Sequence, residues 1–294
     1  ITFIHPFHPS FMNLTIIGLG LIGGSVALDL QARGFTHRVT GFDANENHAR
    51  LALKRGIVNH IAPTLHQAIA NANLVVLAVP VKYIITLLPQ ALTLAPPNAT
   101  ITDMGSTKQT IVQAVANHPN RSNFVASHPM AGTEFSGPLA AVYNLFNQKA
   151  AIICNKEQSH PDALSIVESM YRTLNMRLIY MDAAEHDMHA AYVSHISHIT
   201  SFALANTVLD KEKSVASIFD LASGGFASTV RLAKSSPETW KQIFELNAPN
   251  ILEVLSSYIT CLTQWQEHLQ NGNFDQLAQM MHQANAIGKI LDKS

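Results

Sequence analysis

Two short stretches carry groups able to move a proton beside a hydride acceptor. Thr102-Asp-Met-Gly-Ser-Thr-Lys108 offers hydroxyls, a carboxylate and an ammonium. Farther along, Ser127-His-Pro-Met-Ala-Gly-Thr-Glu-Phe-Ser-Gly137 adds an imidazole at His128 and a carboxylate at Glu134 in a glycine-bearing loop. An imidazole ordinarily titrates at about 6.5, so at neutral pH it is mostly unprotonated and can take a proton. Upstream lies Gly18-Leu-Gly-Leu-Ile-Gly23, with the Gly-x-Gly-x-x-Gly spacing of a turn that receives a dinucleotide. A hydroxyl, a histidine and a carboxylate beside a nicotinamide ring are the parts of a dehydrogenase.

The glycine spacing has meaning only between a strand and a helix, and both are legible. Asn13 to Ile17 is a short β-branched apolar run suited to a buried parallel strand, and Leu21 to Arg33 reads as a helix closed by Gly34. Gly18 permits the turn, Gly20 lets backbone approach a diphosphate, and Gly23 lets the helix pack closely on the strand. Leu19, Leu21 and Ile22 complete the loop, whose free N–H groups attract phosphate. The next strand, Arg38 to Asp43, ends in an acid that can accept hydrogen bonds from an adenosine ribose. That carboxylate would repel a 2′-phosphate, so Asp43 favours NAD over NADP. Asp43 could instead cap the helix that begins near Asn45.

Further strand candidates are Asn73 to Ala78, Thr100 to Asp103, Asn123 to Ser127, Lys149 to Ile153 and Arg177 to Tyr180, with helical patterns between most of them. Such alternation predicts an α/β fold, a mostly parallel, doubly wound Rossmann-type sheet whose ligands sit beyond the carboxyl ends of the strands. Val79-Pro80 ends the third strong strand at that edge. Ser106 follows another strand and precedes a helix expected over Thr107 to Asn117, so it suits either an orienting hydroxyl or a helix cap, or both. Lys108 reads as a first-turn surface residue. From Asp182 onward the pattern becomes all helical: Ala183 to Leu209, Val215 to Ala222, Pro237 to Gln270 with a possible break at Pro249, and Phe274 to Asp292. The expected division is an N-terminal extension over 1–11, a dinucleotide-binding domain over 12–181, and a helical domain for substrate and dimerisation over 182–294. Met12 reads as the natural start.

Composition narrows the function. With 47% hydrophobic and 13% charged residues, the chain is long enough for two domains with a large core. A formal net charge of -1 gives no reason to expect nucleic acid or an anionic membrane as partner, so the ligand is expected to be small. No run has the length of a membrane span, and residues 1–11 lack the features of a signal peptide. Cys154 and Cys261, far apart in apolar surroundings, read as buried free thiols of a cytoplasmic protein. Apolar residues occupy more than one face of the segment from Ile251 to Trp265, which predicts a homodimer. No metal is expected: His186, His189, His195 and His198 have helical spacing but neither an HExxH motif nor a cysteine pair beside them.

Five blocks in order carry a family resemblance: Gly18 to Ser25, Asp103 to Lys108, His128 to Glu134, Ser194 to His198, and Ala222 to Phe226 with Arg231 and Trp240. Through them the chain resembles the prephenate dehydrogenases of tyrosine biosynthesis, a family that includes arogenate and cyclohexadienyl dehydrogenases. The resemblance implies NAD-dependent oxidative decarboxylation of prephenate to 4-hydroxyphenylpyruvate, with arogenate as the alternative substrate. It further implies that His128 accepts the hydroxyl proton, Ser106 orients it, and Arg231 holds a substrate carboxylate. Ser194 and His198, four residues apart on one predicted helical face, would meet the substrate with Thr133, Glu134 and Trp240, while His195 lies off that face. Two positions depart from many relatives: Ala227 stands where an arginine follows Gly-Gly-Phe, and Ser197 stands where proline is common.

Overall fold

A computed structural model describes residues 12–213 and 217–291; the extension expected over 1–11, the first two residues of the helix expected from Val215, and Asp292 lie outside the described residues. The strands are β1 (Asn13–Ile17), β2 (Arg38–Phe42), β3 (His60–Ile61), β4 (Leu74–Leu77), β5 (Thr100–Asp103), β6 (Phe124–Pro129), β7 (Ala150–Cys154) and β8 (Arg177–Met181). They form one sheet in the order β3-β2-β1-β4-β5-β6-β7-β8. From β3 to β6 the pairing is parallel; β7 runs antiparallel to β6 and β8 parallel to β7.

Between the strands run α1 (Leu21–Ala32), α2 (Glu46–Lys54), α3 (Leu65–Ile69), α4 (Val81–Leu94), α5 (Gln109–Ala114) and α6 (Pro161–Thr173). The strands β4 and β7 are apolar throughout because both faces of the sheet are covered. Leu14, Ile16, Leu74, Val76 and Ile153 point into one core cluster, whereas Ile17, Val75, Leu77, Ile101 and Ile152 point into the other. Side chains of a strand alternate between faces, so both sets are removed from water, at about 1.5–3 kcal/mol for each large aliphatic group.

A helical region follows: α7 (Ala183–Ala190), a π-helical turn (Ala191–His195), α8 (Ile196–Glu212), α9 (Gly224–Thr229) and α10 (Pro237–Leu246), then α11 (Ala248–Gln270), α12 (Phe274–Ala284) and α13 (Ala286–Leu291). The described residues separate into two compact units that divide between Asn247 and Ala248. The expected helix from Pro237 to Gln270 breaks at Asn247, so Pro249 falls in the first turn of α11, where its missing N–H costs nothing. The helix expected over Thr107 to Asn117 is shorter at both ends. Of the helix expected to end at Ala222, the described part holds a 3-10 turn over Phe219–Leu221. Cys154 is buried, but Cys261 is exposed on α11 beside the exposed Ile259 and Leu262, which corrects the expectation of two buried thiols. No helix among the described residues is long and apolar enough to cross a membrane.

Candidate active site

The glycine turn joins β1 to α1 in the geometry its residue types require. Gly18 has φ of 95°, and a Cβ there would lie 2.6 Å from the Ala78 carbonyl oxygen. A Cβ at Gly23 would meet the Gly18 carbonyl at 2.0 Å, so only glycine lets α1 approach. Gly20 differs: a Cβ there would meet nothing nearer than the Gly137 nitrogen at 4.0 Å, so its open side faces space into which a ligand fits. Gly20 is also the N-cap of α1 and offers no side-chain cap, leaving the N–H groups of the first turn for an anion. Asp43, just beyond β2, accepts the Leu19 N–H at 2.9 Å and the Asn45 N–H at 2.9 Å. Asn45, not Asp43, caps α2. A helix start without a cap, a backbone cradle and an acid at the end of β2 together fit a dinucleotide.

The carboxyl ends of β4, β5 and β6 form one wall of a cleft of about 530 Å³. Val79 and Pro80 after β4, Ser106 after β5 and His128 near the end of β6 all line it, with Gly20, Leu21 and Ile22. Behind this wall is a buried polar network. Lys108 is wholly buried and its ammonium donates to the Asp103 carboxylate and, at 2.7 Å, to the Ser127 carbonyl. Asp103 also accepts the Gly105 N–H at 2.9 Å and the Ser127 N–H at 3.1 Å. The Ser127 hydroxyl donates to the Asp103 carbonyl at 2.8 Å and lies 2.6 Å from the Tyr171 hydroxyl. The strand ends that carry Ser106 and His128 are therefore fastened to one another through one buried ion pair. Lys108 belongs to this network and not to the surface, because Asp103 and Ser127 supply the partners that an ammonium must have to be buried. Ser106 does not cap α5, whose N-cap is Lys108.

His128 Nδ1 lies 2.9 Å from Nε2 of His186, and Nδ1 of His186 lies 2.8 Å from the Asp187 carboxylate. His186 and Asp187 are each 1% exposed. Asp187 further accepts the N–H groups of Lys108 and Gln109 at 2.7 and 2.9 Å, so α7 caps the start of α5. Burial holds His128 well below the ordinary 6.5, helped by His186, Lys108 and His195 nearby. Burial also lowers His186, against the opposing pull of Asp187.

The opposite wall is helical. His198 Nδ1 lies 3.0 Å from the Ser194 carbonyl, and its ring stacks on Trp240 with centroids 3.4 Å apart. Ser194 lies in the π-helical turn, and both it and His198 line the cleft. Burial lowers His198, partly offset by that carbonyl. His195 is buried instead, 3.0 Å from the Asn247 amide, and burial brings it down to about 4. Arg231 lines the cleft with its side chain 56% exposed, 4.0 Å from Glu134 across the opening. Thr133 and Glu134 belong to the loop between β6 and β7 that rims the same opening. Among the described residues no three metal-ligating side chains converge, since His186, His195 and His198 each face a different partner.

The cleft thus gathers Ser106, His128, Thr133, Glu134, Ser194, His198, Arg231 and Trp240 with half of the glycine loop; Gly18, Leu19, Gly23 and Asp43 lie behind or beside it. Sequence reasoning missed His186 and Asp187, which appear only as members of a helical histidine run, and the buried role of Lys108. It also missed Lys149, which reaches the cleft because β7 is reversed, so that its first residues lie at the ligand edge. For Lys108 a signal existed: a lysine five positions after a strand-end acid, in a chain with only 19 Lys and Arg.

Comparison with known proteins agrees with this geometry. The family model for the nucleotide-binding domain of prephenate dehydrogenase matches residues 26–180, and that for its dimerization domain matches residues 182–283. The prephenate dehydrogenase of Bacillus subtilis is 32% identical over 249 residues, covering 84% of this chain and 67% of that protein. The cyclohexadienyl dehydrogenase of Zymomonas mobilis is 30% identical over 253 residues, 86% of each chain. The crystal structure of prephenate dehydrogenase from Aquifex aeolicus in complex with hydroxyphenyl propionate and NAD+ superposes with a TM-score of 0.86 at 27% identity, covering 94% of this chain and 96% of that one. The chain belongs to the prephenate dehydrogenase family.

Proposed function

We propose that the chain is an NAD-dependent oxidoreductase that converts prephenate to 4-hydroxyphenylpyruvate by oxidative decarboxylation. The observation that carries this reading is the placement of His128 in one cleft with Ser106, the open side of the Gly20 turn and Arg231. Bound NAD supplies the hydride acceptor. As hydride leaves the ring carbon that bears the hydroxyl, His128 takes the hydroxyl proton and Ser106 orients that hydroxyl. The bond to the ring carboxylate breaks, carbon dioxide departs, its electron pair completes the aromatic ring, and the proton held on His128 returns to the resulting phenolate oxygen. Gly18 to Gly23, Val79 and Pro80 cradle the cofactor, and Asp43 favours the unphosphorylated ribose of NAD. Arg231 holds a substrate carboxylate through its planar fork, with Glu134 and Thr133 at the mouth and Ser194, His198 and Trp240 as the wall.

The division of labour we propose is a cofactor domain over 12–181 and a substrate and dimerisation domain over 182–294. The match to a dimerization domain supports a homodimer. So do the exposed Leu252, Ile259, Leu262, Phe274 and Ile290 of the helical tail. The two free cysteines suit the cytoplasm.

The test is NADH formation by the purified protein, with prephenate or arogenate and with NAD or NADP supplied separately. Turnover of prephenate with NAD is the expected result. Preference for arogenate, which the Zymomonas relative makes the second reading, would move attention to Ala227. Preference for NADP would overturn the reading of Asp43.

A further inference from the structure

We infer that His186 and Asp187 are positioning residues that fix the tautomer of His128, so that its Nε2 is the atom left free to accept a proton. The inference deepens the proposed function and rests on that reading for the role of His128. Its structural part rests on three contacts. Asp187 accepts two backbone N–H groups and can offer His186 Nδ1 only an acceptor, so the hydrogen in that 2.8 Å contact sits on His186. Neutral His186 then has a lone pair at Nε2. The 2.9 Å contact to His128 consequently requires hydrogen on His128 Nδ1. Neutral imidazole carries one N–H, which leaves His128 Nε2 bare, on a side chain that lines the cleft. The direction of each hydrogen bond follows from the carboxylate at the buried end.

Proton uptake at Nε2 would make an imidazolium whose Nδ1–H already points to His186 and, beyond it, to the Asp187 charge. The groups facing His128 are His186 from α7, Lys108 from the loop before α5, and His195 from the π-helical turn; Asp103 stands behind Lys108 and opposes its charge. Among the described residues it is His186 that hydrogen-bonds the His128 ring. Asp187 has a second task. Through the N–H groups of Lys108 and Gln109 it holds the segment that follows Ser106, so one carboxylate sets both the base and the loop of the orienting hydroxyl.

Nitrogen NMR of the protein labelled at histidine reads the tautomer without any turnover, with His128 assigned by the signal lost in His128→Asn. The expected spectrum at neutral pH has His128 protonated at Nδ1 and bare at Nε2, and His186→Leu mixes the two forms. In kinetics, His186→Leu should lower kcat by roughly a hundredfold, within the range for general-base catalysis, with little change in the KM for NAD. His186→Gln restores an acceptor near the Nε2 position and should recover at least about tenfold of that loss. An Nε2-protonated His128 in the wild type would overturn the inference, as would an unchanged tautomer in His186→Leu or a Gln variant no better than Leu. If the tautomer is as expected while His128→Asn turns over normally, the proposed function fails and the tautomer assignment stands.

Discussion

At the residue scale, the roles proposed for His128 and Lys108 differ in what their removal should damage. His128→Asn keeps a polar group in the cleft wall, so NAD binding measured by fluorescence should remain while kcat falls by about 10²–10⁴. Wild-type turnover would remove His128 from the chemistry. The lowered pKa of His128 also fixes a sign. A base works while unprotonated, and a depressed value keeps it so as pH drops below the ordinary 6.5; the acid limb of the kcat profile should therefore lie below that value, and a limb above it would contradict the role. Lys108 is different because it touches Asp103 and Ser127 and does not line the cleft. Lys108→Met leaves the Asp103 carboxylate buried without its cation, which should cost about 3–5 kcal/mol of stability in urea unfolding. A stability within about 0.5 kcal/mol of wild type would show that the pair carries no net weight.

At the scale of elements, the turn between β1 and α1 is the most tightly determined piece of the cofactor site. Gly18→Ala adds a methyl 2.6 Å from the Ala78 carbonyl and 2.8 Å from a Val79 γ-carbon at a φ of 95°. β1 and β4 would have to part, so both the melting temperature and the affinity for NAD should fall; an unchanged affinity would mean that the dinucleotide lies elsewhere. This turn was legible in the sequence because its demands are local: a strand, three glycines and a helix within a few residues. The strand β4 was legible for a related reason, since burial on both faces writes an unbroken apolar run, Leu-Val-Val-Leu. The reversal of β7 was not, because Ala150–Cys154 would read the same in either direction. Nor was the contact of His128 with His186, 58 positions away, which exists only because α7 packs beside β7. Asn247 breaks the helix two residues before the proline that drew attention, since a first-turn proline is tolerated where an interior one is not.

At the scale of the molecule, the histidines of the site make folding itself depend on pH. His128, His186, His195 and His198 are all held below 6.5, in each case by burial first. In the unfolded chain they would titrate at about 6.5. Between the two values the unfolded state binds protons that the folded state does not, so stability increases with pH there. The contribution is complete above about 6.5 and is lost as pH falls towards the folded values, about 4 for His195. His128, held well below 6.5, and His195, brought to about 4, should weigh most, and the partly exposed His198 least. Carboxylates ordinarily titrate near or below about 4.3, so a loss that begins above pH 5 belongs to the histidines. Urea midpoints measured between about pH 8 and pH 5 should therefore fall well before the acid region proper, and His195→Asn, which keeps a polar partner for Asn247, should reduce the slope by about one proton. A midpoint flat down to pH 5 would mean that these rings take up protons in the folded protein as readily as in the unfolded chain, which would contradict the lowering of His128 by burial.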